Sequence, residues 1–180
     1  MNLIWRFLLT IITAYFHPQL AILDESRKSF RVLPTDIDLM LHMNNGRYFS
    51  FLDLARLDYI IRCNLQTEMS KHKIYSVVAS EMIRFRKSID LFKCFEVRTK
   101  VLGWDERFLY IAHHIMRDDT IHALALVKSC FLKKSTGSIS PQTVLNTLGL
   151  TYQSPALPAW VTSWQEADKA FHDEAVKESS

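Results

Sequence analysis

One short stretch of this chain gathers two carboxylates, an imidazole and two adjacent carboxamides: Asp36, Asp38, His42, Asn44 and Asn45. Directly after it, Tyr48, Phe49, Phe51, Leu52, Leu54, Ala55, Leu57, Tyr59, Ile60 and Ile61 predict a helix that is apolar almost all round. Asn44 and Asn45 are good caps for its start. A helix start carries unpaired N–H groups and the positive end of the helix dipole. A carboxylate held against such a start can attack a carbonyl carbon or take a proton from water, while the N–H groups receive the oxyanion. That is equipment for acyl transfer. Each residue also has a plainer use. Asp36 and Asp38 follow Pro34 and can organise a turn, and His42 can tie the loop to the helix. Asn44 and Asn45 can act as caps and line a site at once, and Tyr48 can simply pack.

A helix that is apolar on all sides has to be wrapped by other structure. Wrapping material follows. Strand-like runs occupy Tyr75 to Phe85, Cys94 to Gly103, Phe108 to Arg117 and Ile121 to Leu132, after a first strand at Ser29 to Leu33 that Pro34 ends. Short dividers at 103–106 and 118–119 join neighbours as antiparallel hairpins. Thr35 to Met43 reads as loop, and the segment from Asn64 to His72 has no clear period. Ser140 and Pro141 open a short helix ending at Leu148, and a polar helix covers Trp160 to Lys177. The expected architecture is α+β, with a curved antiparallel sheet around one central helix. Arg56, on that buried helix, needs a partner. Asp53 with Arg56 and Asp58 with Arg62 stand at ion-pair spacing.

The chain of 180 residues carries a net charge of only +3, which argues against nucleic acid as a partner, and its basic residues form no stripe with exposed aromatics. Cys63, Cys94 and Cys130 have no metal-ligand spacing and are read as buried reduced thiols, pointing to a reducing, cytoplasmic compartment. His113 and His114 point to opposite faces of a strand, and with His122 they give no metal site, so no metal or organic cofactor is expected. Neither a G-x-S-x-G elbow nor a Walker-type loop is present. Arg84 and Arg86, near a strand end, could meet ligand phosphates or form a solvated edge.

The first segment, residues 1–18, predicts an apolar helix with Leu3, Ile4, Phe7, Leu8, Ile11 and Ile12 on one side. It is interrupted by Arg6 and lacks a small-residue cleavage site, so it is not read as a signal peptide. It is also shorter than the ~20 residues of a spanning helix. Docking on the domain, a dimer contact, and peripheral contact with the inner face of a membrane through residues 3–16 all fit. Residues 19–150 form the expected domain, and 151–180 a tail with the polar helix.

The run Asp36-Ile37-Asp38-Leu39-Met40-Leu41-His42-Met43-Asn44-Asn45-Gly46-Arg47-Tyr48 resembles the D-x-D-x-x-G-H-x-N-N-x-x-Y signature of the 4-hydroxybenzoyl-CoA thioesterase-like branch of the hotdog superfamily. Leu54-Ala55-Arg56 is similar to the A-R of its central helix. A closer similarity, from Leu33 to Tyr48 and again at Phe95 to Thr99 and Leu102 to Asp105, is to thioesterase superfamily member 6-like proteins. The resemblance implies a hotdog fold, homodimers or homotetramers, and hydrolysis of acyl-CoA or acyl-carrier thioesters. It implies Asp38 as the catalytic carboxylate and the Asn45 backbone N–H as the group facing the carbonyl, with His42 beside them. Asn44, Gly46, Tyr48, Arg84 and Arg86 are expected to contact substrate. Leu41 replaces the branch's glycine, where glycine would permit positive φ or close ligand approach. Two other uses of such a fold are a non-catalytic acyl-binding scaffold and an enoyl-thioester hydratase, although the N-P-x-H context of hydratases is missing.

Overall fold

The computed structural model describes residues 2–135 and 137–178; Met1 and residues 179–180, at the ends of the first and last expected segments, lie outside these. The elements are α1 (Asn2–Phe16), β1 (Ser26–Arg31), a 3-10 turn (Pro34–Asp36), α2 (Asn45–Arg62), α3 (Leu65–Lys71), β2 (Ile74–Phe85), β3 (Cys94–Trp104), β4 (Leu109–Arg117), β5 (Thr120–Lys133), β6 (Gly137–Ile139), α4 (Pro141–Thr147) and α5 (Ala159–Glu178). The strands form one antiparallel sheet in the order β1-β3-β4-β5-β2, with β6 pairing to the end of β5. The sheet curls around α2, whose Tyr48, Phe51, Leu52, Leu54, Ala55, Tyr59 and Ile61 are buried. This is the hotdog architecture expected from the sequence.

Two expected boundaries shift. β1 runs from Ser26, because Ser26 pairs with Thr99 and the ladder continues to Arg31 opposite Cys94. The unassigned stretch before β2 holds α3, with Met69 buried under it. One cysteine reading is corrected: Cys63 and Cys130 are partly buried, but Cys94 is exposed, because it ends the edge pairing of β3 with β1. Burial pushes the Cys63 thiol up to about 11.

α1 docks on the domain, but not by its apolar stripe. Thr10 and Ala14 are buried against it, and Arg6 donates to the Asp36 carboxylate at 2.6 Å while lying 4.6 Å over the Phe51 ring. Lys28 donates to Thr13 Oγ1 at 2.6 Å. The polar partners sit on the domain, so the polar side of the helix turns inward. Ile4, Trp5, Leu9, Ile12, Tyr15 and Phe16 are left exposed.

Within β2 the register slips between Val78 and Ser80. Beyond this bulge Glu81 and Phe85 turn toward α2, where they meet Arg56 and Tyr48; before it, Ser76 and Val78 do. The outer edge of this long strand has no neighbour among the described strands.

Candidate active site

The segment between the 3-10 turn and α2 folds into a small hairpin. Asn44 donates to the Asp36 carbonyl at 2.8 Å, Ile37 bridges Met43, and the Asp38 N–H donates to the His42 carbonyl at 3.0 Å. Met43, buried, also donates to the Ile89 carbonyl at 2.8 Å, which fastens the hairpin to the sheet's border. Leu39, Met40 and Leu41 form its exposed tip.

The two aspartates have different surroundings. Asp36 is buried, and its Oδ2 accepts from Arg6 at 2.6 Å and from the Leu33 N–H at 2.8 Å, with Arg47 Nε at 3.8 Å from Oδ1. It is saturated by structural partners. Asp38 is half-buried; one carboxylate oxygen accepts the Met40 N–H at 2.9 Å, and the other has no partner among the described residues. That oxygen is available to water or to a carbonyl carbon.

At the start of α2, Asn44 is the cap: its Oδ1 accepts the Gly46 N–H at 2.9 Å, and its carbonyl accepts the Arg47 N–H at 2.9 Å. A Cβ on Gly46 would stand only 3.3 Å from that Oδ1, so glycine leaves the cap its room. Asn45 is the first helical residue, exposed, and its N–H donates to no partner among the described residues. A half-satisfied carboxylate and a free helix-start N–H therefore sit at the two ends of one short hairpin.

The other expected site residues divide. His42 Nε2 is 3.4 Å from Asp90 Oδ1, an exposed pair that ties the hairpin to the loop after β2. Tyr48 is 2% exposed and packs edge-on against Phe85, 5.0 Å between ring centres; burial pushes its phenol up to about 12. Arg84 lies between Glu81 and Phe85 on the alternate face of β2, away from α2, and Arg86 follows the strand's end; both are exposed.

Leu41 has φ of +61°, in the left-handed region. An L-residue there costs about 1–2 kcal/mol relative to glycine. Leu41→Gly is expected to raise stability by a few tenths to about 1 kcal/mol, the gain being offset by glycine's larger unfolded-state entropy. Chemical unfolding measures it, and an unchanged or lower midpoint would contradict the strain argument.

Sequence reasoning paired Arg56 with Asp53 but missed the rest of a cluster farther along α2. Arg56, 6% exposed, pairs with Asp53 one turn back and reaches Glu81 on β2 at 3.0 Å. Burial raises the Glu81 carboxyl above the usual range, although Arg56 pulls the other way. Behind them His113 is fully buried with Nδ1 3.0 Å from Thr99 Oγ1, and burial with nearby Arg56 holds its pKa well below the ordinary value, so its ring is neutral. Arg56 on the buried stretch of the helix was the available signal; Glu81 was invisible without the sheet register. Next to Asp53 and Arg56 opens a cavity of about 250 Å³ between α2 and the sheet, and neither Asp38 nor Asn45 is among its lining residues.

Comparison with known proteins gives the family and the fold. The model of the thioesterase-like superfamily matches residues 32–165. The chain is 30% identical to Protein THEM6 of Xenopus laevis over 89% of its own length and 79% of the frog protein. It is 35% identical to Protein THEM6 of Danio rerio over 66% of its length, but spans only 57% of that relative. A probable thioesterase of Saccharomyces cerevisiae is 30% identical over 65% of this chain and 52% of the yeast protein. Among solved structures, YbaW, a probable thioesterase from Escherichia coli, has the same fold with a TM-score of 0.63 at 21% identity, covering 68% of this chain and 95% of that one. A hypothetical protein of Staphylococcus aureus solved in complex with CoA has a TM-score of 0.60 at 16% identity, over 78% of this chain and 92% of its own.

Proposed function

Since this chain belongs to the thioesterase-like superfamily, we propose that it hydrolyses an acyl-CoA or acyl-carrier thioester to the free acid and the thiol. The observation that carries the reading is that one short segment holds both a free Asp38 oxygen and, at the start of α2, the unpartnered Asn45 N–H. The carboxylate either adds to the thioester carbonyl or takes a proton from an attacking water. In both routes the carbonyl oxygen gains negative charge, which the Asn45 N–H and the positive end of α2 stabilise. The C–S bond then breaks, the thiolate takes a proton, and water supplies the second oxygen of the acid. Asn44 and Gly46 shape the helix start, and His42 holds the hairpin against Asp90. The test is thiol release from a panel of acyl-CoA and acyl-carrier substrates. Binding with no thiol release would favour a scaffold, and hydration of a crotonyl thioester without release would favour a hydratase.

The open edge of β2 also suggests assembly. A second copy pairing along this strand would cover the edge, in a homodimer or a larger homo-oligomer.

The outward apolar side of α1 supports peripheral membrane contact through residues 3–16, on the cytoplasmic side, where the unpaired cysteines stay reduced. No helix among the described residues is long and apolar enough to cross a membrane. Trp5 and Tyr15, exposed toward either end of the helix, suit a lipid–water boundary. Ile4→Glu with Leu9→Glu is expected to abolish pelleting with phosphatidylcholine–phosphatidylserine liposomes; both side chains face solvent, so the fold is unaffected. Equal pelleting of variant and parent would end the membrane reading.

A further inference from the structure

The cavity beside Arg56 is not absorbed by the proposed chemistry. Its polar members, Asp53, Arg56, Ser76 and Ser129, are few against walls such as Leu57, Ile60, Trp104, Leu109, Val144 and Leu145. The Asp53 side chain is 67% exposed, which marks that end as the mouth. The far end is closed by the buried Val144 and Leu145 of α4. An apolar void that neighbouring side chains could have filled destabilises a fold in proportion to its volume, so a retained one calls for an occupant. Engineered apolar cavities of roughly 150 Å³ take up benzene, and this one is larger.

Its position relative to the reacting groups sets the length of that occupant. α2 runs alongside β2, from Tyr48 against Phe85 near the helix start to Arg56 against Glu81 farther on. From Asn45 to Asp53 the helix rises roughly 12 Å at about 1.5 Å per residue. An extended alkyl chain, with C–C bonds of about 1.5 Å at tetrahedral angles, needs on the order of ten carbons to cover that span and several more to enter the cavity. The Arg56 bridge from α2 to Glu81 pins the two walls at the mouth.

Building on the thioesterase reading, we propose that this cavity binds the far end of the acyl group, so that the preferred substrates are long, unbranched acyl thioesters on the order of fourteen carbons or more. Acetyl, octanoyl and benzoyl groups end short of the cavity and gain nothing from it. Burial of the chain end supplies affinity in proportion to the apolar area removed from water.

The experiment compares wild type with Val144→Phe, which puts a ring into the empty end, and Leu145→Ala, which enlarges it. kcat/KM for myristoyl- and palmitoyl-CoA is expected to exceed that for octanoyl-CoA at least tenfold in wild type. Val144→Phe is expected to remove at least tenfold from the two long substrates and to leave octanoyl-CoA within twofold. Leu145→Ala is expected to move the optimum toward longer chains. Thermal unfolding of each variant identifies any that fails to fold, and the other then carries the comparison. A preference for short or aromatic acyl groups, or equal effects of Val144→Phe on all lengths, would overturn the proposal. Binding of a non-hydrolysable hexadecyl-CoA thioether by calorimetry separates the two readings. Tight binding weakened at least tenfold by Val144→Phe, with no thiol release from any substrate, keeps the cavity assignment and removes the hydrolase. Thioether binding insensitive to Val144→Phe removes the cavity assignment, whatever the hydrolysis result.

Discussion

Asp38→Asn is expected to lower kcat/KM for thioester hydrolysis roughly a hundredfold to ten-thousandfold, the range that a general base or carboxylate nucleophile supplies, while leaving the melting temperature within a degree or two. The two halves of this expectation come from the two oxygens of the side chain. Oδ1 accepts the Met40 N–H at 2.9 Å and shapes the hairpin tip, a task that the amide oxygen of asparagine can take over. The second oxygen has no partner among the described residues, and its charge and nucleophilicity are what asparagine lacks. Asp38→Ala removes both, adding a structural loss of about 1 kcal/mol for the missing turn bond. Thiol release followed spectroscopically, with unfolding curves for all three proteins, gives the comparison. Undiminished turnover in both variants would take the carboxylate out of the reaction and leave the helix start without its partner.

Much of this arrangement can be read along the chain, and the limits are physical. The core helix is legible because ten apolar residues leave it no solvent face, and Asn44 marks its start before any coordinates. The hairpins are legible because their turns are short and local, as at Asp118 and Asp119, both with positive φ. The glycine replaced by Leu41 signals a left-handed position, and φ of +61° is what the backbone adopts there. Contacts made across sequence distance are different. Arg6 and Asp36 are thirty positions apart, and nothing local joins them. The apolar stripe of α1 is obvious from periodicity, yet which side docks is decided by where Asp36 and Lys28 wait on the domain. The cavity draws its walls from Ile22 to Leu145, so no window along the sequence contains it. The three-residue β6 is too short to carry a period, and exists because β5 extends past β4 and offers a free edge.

These distant contacts also explain why the hairpin can be rigid although its tip is exposed. Asp36, anchored by Arg6, receives the Asn44 N–H on its carbonyl, so α1, the hairpin base and the start of α2 share one set of bonds. Fixing the base fixes the spacing between Asp38 and the free N–H at Asn45. The helix that leaves an apolar side exposed is thereby joined through Arg6 to the segment that carries the candidate reacting groups.

The largest stability loss is expected where the same logic is fully buried. Asp58, toward the end of α2, is 0% exposed and collects Lys28 Nζ at 2.9 Å, Ser26 Oγ at 3.2 Å and Arg62 Nη1 at 3.4 Å. Lys28 reaches on to Thr13, so one carboxylate joins β1, α2 and α1. Asp58→Ala leaves the lysine, 8% exposed, without its counter-charge, and stranding a buried ion costs about 3–5 kcal/mol. For a domain of this size that corresponds to a fall of roughly 6–20 °C in melting temperature. Packing alone does not predict the second half of the test: Asp58→Leu combined with Lys28→Met removes the closest ion pair and is expected to recover part of the loss, because an apolar pair of similar volume avoids the desolvation that the ion pair incurs, while Arg62 keeps the Pro18 carbonyl as an acceptor. Urea unfolding of the single and double variants measures both terms. A single-variant loss below about 1 kcal/mol, or a double variant no better than the single, would mean that Asp58 does not hold these three elements together by charge.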